Sequence, residues 1–207
     1  MKYFYLLLFT FLFSDPIFHP NAICYGPFRD GQAPGLLNPT KEQIEEDLKI
    51  MSNYWSVIRM YGSRGSTETV LEIIKNKKIN LKLHLGAWIA NESNDSSMHL
   101  SNLSEIHKAI ELSNRYPNIV EAIIIGNETQ VFWTSNKVDY NTLRDYILLV
   151  KAKTKQPITT ADDFNFWNKP EGIDLAKDLD FIMLHIHPLW AGTKLKDAVS
   201  FVSRIYN

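Results

Sequence analysis

The run Ile123-Ile124-Ile125-Gly126-Asn127-Glu128 places an amide and then a carboxylate at the end of a β-branched segment. Neither side chain belongs in an apolar core, because an unpaired buried carboxylate either takes up a proton or costs several kcal/mol. Two uses fit this placement. Glu128 is a general acid/base, with Asn127 hydrogen bonding a sugar 2-hydroxyl beside the scissile bond, or Glu128 is a loop carboxylate that caps the next segment.

Aromatic residues bear on that choice. Tyr25, Tyr61, Trp88, Trp133, Trp167 and Trp190 stand at or just past the ends of apolar runs, where flat rings can stack on the flat faces of sugars. Any one of them reads as core packing, but six on one rim favour carbohydrate. His185 and His187 alternate along their strand, so both point to one face, towards substrate or Glu128. No third ligand stands at a recognisable spacing, so neither a metal nor a cofactor is expected.

The elements that must hold these residues follow a repeated rhythm. Apolar runs alternate with amphipathic stretches of helical period, as in parallel sheets covered by helices. The spacing predicts strands over Ile23–Phe28, Ser56–Tyr61, Leu81–Trp88, Ile119–Gly126, Pro157–Ala161 and Phe181–His187. It predicts helices over Lys41–Ser52, Ser66–Lys77, Leu103–Tyr116, Tyr140–Lys155, Glu171–Lys177 and Leu195–Tyr206, with a long polar loop at Asn91–Ser101. Thr40 three residues before Gln43, and Ser66 ahead of Glu68, fit helix entries.

This rhythm serves either an open doubly wound sheet or a closed eight-stranded barrel. The first strand leads into Tyr25-Gly26-Pro27-Phe28-Arg29-Asp30-Gly31, which lacks the glycine-rich turn of a dinucleotide site. Instead the strand ends carry Tyr25, Arg59, Tyr61, Trp88, Asn127, Glu128, Asp162, Asp163, His185 and His187. Chemistry spread over the carboxyl ends of many strands is the barrel pattern.

Composition narrows the partners. With 22 Lys+Arg against 23 Asp+Glu and no basic cluster, the chain has no electrostatic footprint for nucleic acid. The 207 residues, 45% of them hydrophobic, suit one large domain. Cys24 is the only cysteine, which excludes an intramolecular disulfide and a zinc site of several thiolates. Met1 and Lys2 precede an apolar run from Tyr3 to Phe13, too short for the roughly 20 residues of a spanning helix but of signal-peptide length. The expected organisation is a signal peptide or uncleaved anchor over 1–22 and a catalytic-type domain over 23–207, in a secreted or periplasmic protein.

The ordered segments Cys24-Tyr25-Gly26-Pro27-Phe28-Arg29-Asp30-Gly31-Gln32, Ile58-Arg59-Met60-Tyr61-Gly62, Leu85-Gly86-Ala87-Trp88, Ile125-Gly126-Asn127-Glu128, Thr159-Thr160-Ala161-Asp162 and His185-Ile186-His187-Pro188-Leu189-Trp190 resemble successive motifs of glycoside hydrolase family 17. The resemblance is to its microbial branch and spans about residues 23–193. It implies a (β/α)8 barrel, a β-1,3-glucan substrate and a retaining mechanism. Glu128 would be the acid/base beside Asn127, and Tyr25, Arg59, Tyr61, Trp88, Asp162, His185, His187 and Trp190 would bind the glucan. The sequence departs from the pattern at Leu189 and at Asp162-Asp163-Phe164.

The family's nucleophile follows the seventh strand in a Glu-(Ser/Thr)-Gly-Trp-Pro type motif, and no such motif occurs here. The resemblance therefore implies about six βα units of an incomplete barrel, inactive by themselves for want of the second carboxylate. A non-catalytic glucan-binding protein is the alternative. A β-1,4-glycanase sharing the Asn-Glu pair would leave the first-strand motif unexplained.

Overall fold

The computed structural model describes residues 21–134 and 136–207; the leader expected over Tyr3–Phe13 lies outside the described residues. Strands β1 (Ala22–Cys24), β2 (Val57–Met60), β3 (Lys82–Ala87), β4 (Val120–Asn127), β5 (Ile158–Asp163) and β6 (Met183–His185) form one sheet. Its order is β1-β2-β3-β4-β5-β6, with every neighbouring pair parallel. A doubly wound sheet reverses its order at a switch point, whereas this sheet steps in one direction. It is an incomplete TIM-type barrel.

The helices are α1 (Lys41–Met51), α2 (Thr67–Lys77), α3 (Ser96–Arg115), α4 (Tyr140–Lys151), the short α5 (Phe164–Trp167) and α6 (Pro170–Leu175), and α7 (Ala198–Tyr206). Apolar residues at helical spacing bury one face of each main helix, such as Ile44, Leu48 and Met51 in α1 and Leu143, Ile147 and Val150 in α4. Thr40 and Gln43 close a reciprocal capping box at α1. Lys78, left-handed at φ 53°, ends α2.

Strand pleating separates packing from chemistry. Ile58, Met60, Leu83, Leu85, Ile123, Ile125 and Ile158 join the helix residues in the main core. The alternate positions form rows on the other face: Cys24 is in register with Arg59 and Arg59 with His84, while Gly86 aligns with Ile124 and Ile124 with Thr159.

Several boundaries correct the sequence expectation. The first and last strands are shorter than expected, and β5 runs on through Asp163. The polar loop expected at Asn91–Ser101 is helical from Ser96, because Asp95 accepts hydrogen bonds from the Ser97 and Met98 N–H groups and starts α3 early. The Phe164–Trp167 turn was not expected as a helix; Asp163 caps it through the Asn165 N–H.

Candidate active site

At the carboxyl end of β4 the backbone turns through two left-handed residues, Gly126 at φ 79° and Glu128 at φ 52°. Glycine suits this conformation, but for glutamate it is strained by about 1 to 3 kcal/mol. A Cβ at Gly126 would also stand 3.0 Å from the Thr129 methyl. The turn is held in place because the Glu128 N–H donates to the Ala161 carbonyl of β5 at 2.8 Å. Residues held in such strained conformations cluster at active sites and ligand clamps.

Arg59 of β2, nearly buried, ties the other polar groups together. One guanidinium nitrogen, Nη2, donates to Asn127 Oδ1 at 2.8 Å, and Nη1 faces His185 Nε2 at 3.1 Å. Guanidinium can only donate, so His185 Nε2 is the acceptor and its proton resides on Nδ1. That Nδ1–H then donates to Glu128 Oε1 at 2.8 Å. Burial holds the imidazole pKa below its ordinary value and the Arg59 charge pushes the same way, against the opposing pull of Glu128. His185 thus donates to one oxygen of the Glu128 carboxylate and orients it.

His187 Nε2 lies 3.5 Å from the same Glu128 oxygen, and its ring packs on Trp190 at 4.7 Å between centroids. The sequence offers no third ligand for the two histidines, but in space Glu128 supplies one, with the ligand atoms within 4.8 Å of one another. The hydrogen-bonding pattern argues against a metal nonetheless. The His185 atom that faces Glu128 carries the proton, and moving it to Nε2 would set N–H against N–H at Arg59.

The other residues singled out in the sequence divide into two groups. Tyr61, Trp88, Trp133 and Trp190 are exposed. Tyr61 stacks on the Arg59 guanidinium at 4.8 Å, and its hydrogen bond with Cys24 and its partial burial hold the phenol above its ordinary pKa. Tyr25, Trp167 and Asp162 need correction as substrate contacts. Tyr25 follows Cys24 and so points to the opposite, helix-covered side, 7% exposed, where its hydroxyl donates to Asp47. Arg29 bonds Glu46 and Asp47 of the same helix, so the first-strand motif clamps a loop onto α1.

Trp167 packs against the core and its Nε1–H donates to the Asp162 carbonyl. Asp162 is fully buried, with its two oxygens accepting from the Gln130 and Asp163 N–H groups, and burial pushes its pKa up to about 6. Its carboxylate braces the loop that follows Glu128. Sequence reasoning also missed Phe132, exposed and edge-on to Trp133, and Glu105, a buried carboxylate on α3. Glu105 falls on the buried stripe of its helix, where a charge is itself a signal.

A family model described as the BtgE/BtgC glycoside hydrolase domain matches residues 22–207. The Aspergillus niger protein btgC, which carries the name of a glucan endo-1,3-beta-glucosidase, is 32% identical over 171 residues, covering 79% of this chain and 24% of its own. The chain thus spans about a quarter of the length of the curated relatives it matches. Among solved structures, an endo-laminarinase from Formosa Hel1_33_131 superposes with a TM-score of 0.73 at 25% identity, over 82% of this chain and 50% of that one. A glycoside hydrolase family 17 beta-1,3-glucanosyltransferase from Rhizomucor miehei shares the fold, with a TM-score of 0.67 at 21% identity over 90% and 64% of the two chains.

Proposed function

The chain belongs to the family of the BtgE/BtgC glycoside hydrolase domain, and on that premise we propose that it binds β-1,3-glucan and presents Glu128 as the acid/base of a retaining glycosidase site. The observation that carries this reading is the chain of hydrogen bonds from Arg59 through His185 to Glu128, with Asn127 held by the same guanidinium. Tyr61, Trp88 and Trp190 line the way to it as stacking surfaces. The apolar run Tyr3–Phe13 supports export, where polymeric glucan would be met.

A retaining site also needs a second carboxylate roughly 5 Å from the first. On the neighbouring strand Asp162 is spent on backbone N–H groups and Asp163 on the cap of α5. That favours a second reading for these residues by themselves, glucan binding without turnover. Calorimetry against a soluble β-1,3-glucan tests both readings. We expect measurable affinity, weakened roughly tenfold by Trp88→Ala, or about 1.4 kcal/mol, and little changed by Glu128→Gln. Absence of affinity would remove the glucan reading. Release of reducing sugar that vanishes in Glu128→Gln would remove the binding-only reading and keep the acid/base.

A further inference from the structure

Glu105 takes no part in the site as described, yet few side chains in the molecule are so heavily bonded. It projects from α3 and is 3% exposed. Its Oε1 accepts from the Ser63 N–H and, at 3.2 Å, from the Trp88 N–H. Its Oε2 accepts from Arg64 Nε at 2.8 Å, and its own carbonyl accepts from the Ser63 hydroxyl at 2.7 Å. A Cβ at Gly62 would stand 2.9 Å from Oε1, so the missing side chain there is what lets the carboxylate approach.

These partners belong to two different turns. Gly62-Ser63-Arg64 follows Tyr61 at the end of β2, and Trp88 follows Ala87 at the end of β3. One carboxylate oxygen therefore holds both turns at once, through charge-assisted bonds that are stronger than those of a neutral acceptor. Each turn carries an exposed aromatic ring of the rim. A stacking subsite depends on the distance between its two rings, and free turns would let that distance vary.

We propose that Glu105 is a positioning residue for glucan: it fixes the separation of Tyr61 and Trp88 and so forms one sugar-stacking subsite out of two strand ends. The inference rests on the glucan reading above. It assigns a specificity role to a buried group that never touches the sugar.

The test is a double-mutant cycle on the whole chain, read by calorimetry with a β-1,3-linked glucose hexasaccharide and by thermal melting. Glu105→Met, which keeps the length of the side chain but has no oxygen to accept from either N–H, is expected to keep a cooperative melt, to bind at least tenfold more weakly, and to cost no further affinity in a Trp88→Ala background, while Glu105→Gln, whose amide oxygen still accepts, recovers most of that affinity. General loosening of the fold would not produce that non-additivity. Gly62→Ala, which pushes the carboxylate away without removing it, is expected to give the same pattern as Glu105→Met and decides the matter if that variant does not fold. Unchanged affinity in a folded Glu105→Met or Gly62→Ala variant, or losses that simply add to that of Trp88→Ala, would overturn the role of Glu105 and leave the glucan reading standing. A wild-type chain with no affinity for the hexasaccharide would overturn both.

Discussion

Glu128 and His185 are far apart in sequence, and what joins them is a hydrogen-bond direction imposed by a third residue. Arg59 can only donate, so it fixes the proton of His185 on Nδ1, and that proton orients Glu128. Arg59→Met removes both the fixed tautomer and the positive charge that helps keep the imidazole neutral. The expected outcome is a His185 pKa higher than in the wild type and a mixture of tautomers, seen in the nitrogen shifts of the histidine ring by NMR. A ring that stays Nδ1-protonated with an unchanged titration would show that Arg59 does not govern it. The members of this group were legible as polar residues at strand ends. Their mutual bonds were not, since strand-end spacing says nothing about which side chains meet. Tyr25 was misplaced for a related reason: a strand of three residues has too little alternation to show which of Cys24 and Tyr25 faces inward.

Among the elements, β2 and β3 approach each other closely at the rim. A Cβ on Gly86 would lie 2.3 Å from the Met60 carbonyl oxygen and 2.5 Å from the Tyr61 carbonyl carbon. Backbone cannot swing aside as a flexible side chain can, so Gly86→Ala should destabilise the fold by about 2 to 3 kcal/mol and displace Tyr61. Urea unfolding measures the first effect; a midpoint matching the wild type would refute it. The same close approach explains why a glycine stands inside this strand, a signal the sequence showed without its cause. Helix positions were legible wherever apolar residues recur at helical spacing. The first turns of α3 escaped notice because Ser96, Ser97, His99, Ser101 and Asn102 are polar, and only the Asp95 cap marks the start. The turns around Glu105 were hidden more deeply, since they depend on bonds between a helix and two strand ends.

For the molecule as a whole, the count and order of the βα units could be read from periodicity, because strands β2 to β5 bury apolar residues beneath amphipathic helices. Closure is a different matter, since it depends on what lies beside β1 and β6. Among the described residues each of these strands pairs on one side only. Parallel strands are ordinarily covered on both faces and flanked by neighbours, and an open edge of unpaired N–H and C=O groups is a template for pairing. The β6 side adds apolar surface: Ile182, Leu189, Trp190, Leu195, Val199 and Tyr206 are exposed, and α7 buries none of its residues despite a well-marked apolar stripe. Apolar area of this kind gains roughly 25 cal/mol for each Å² removed from water, which favours contact between chains as concentration rises. The chain should therefore self-associate reversibly across the micromolar range in sedimentation velocity, with little dependence on salt because the driving surface is uncharged. Val199→Lys, which charges the exposed first turn of α7, should shift that association to several-fold higher concentration while leaving the melt unchanged. A chain that sediments as a monomer throughout would mean that the open edges are protected by their own twist and brevity, β1 and β6 being three residues each.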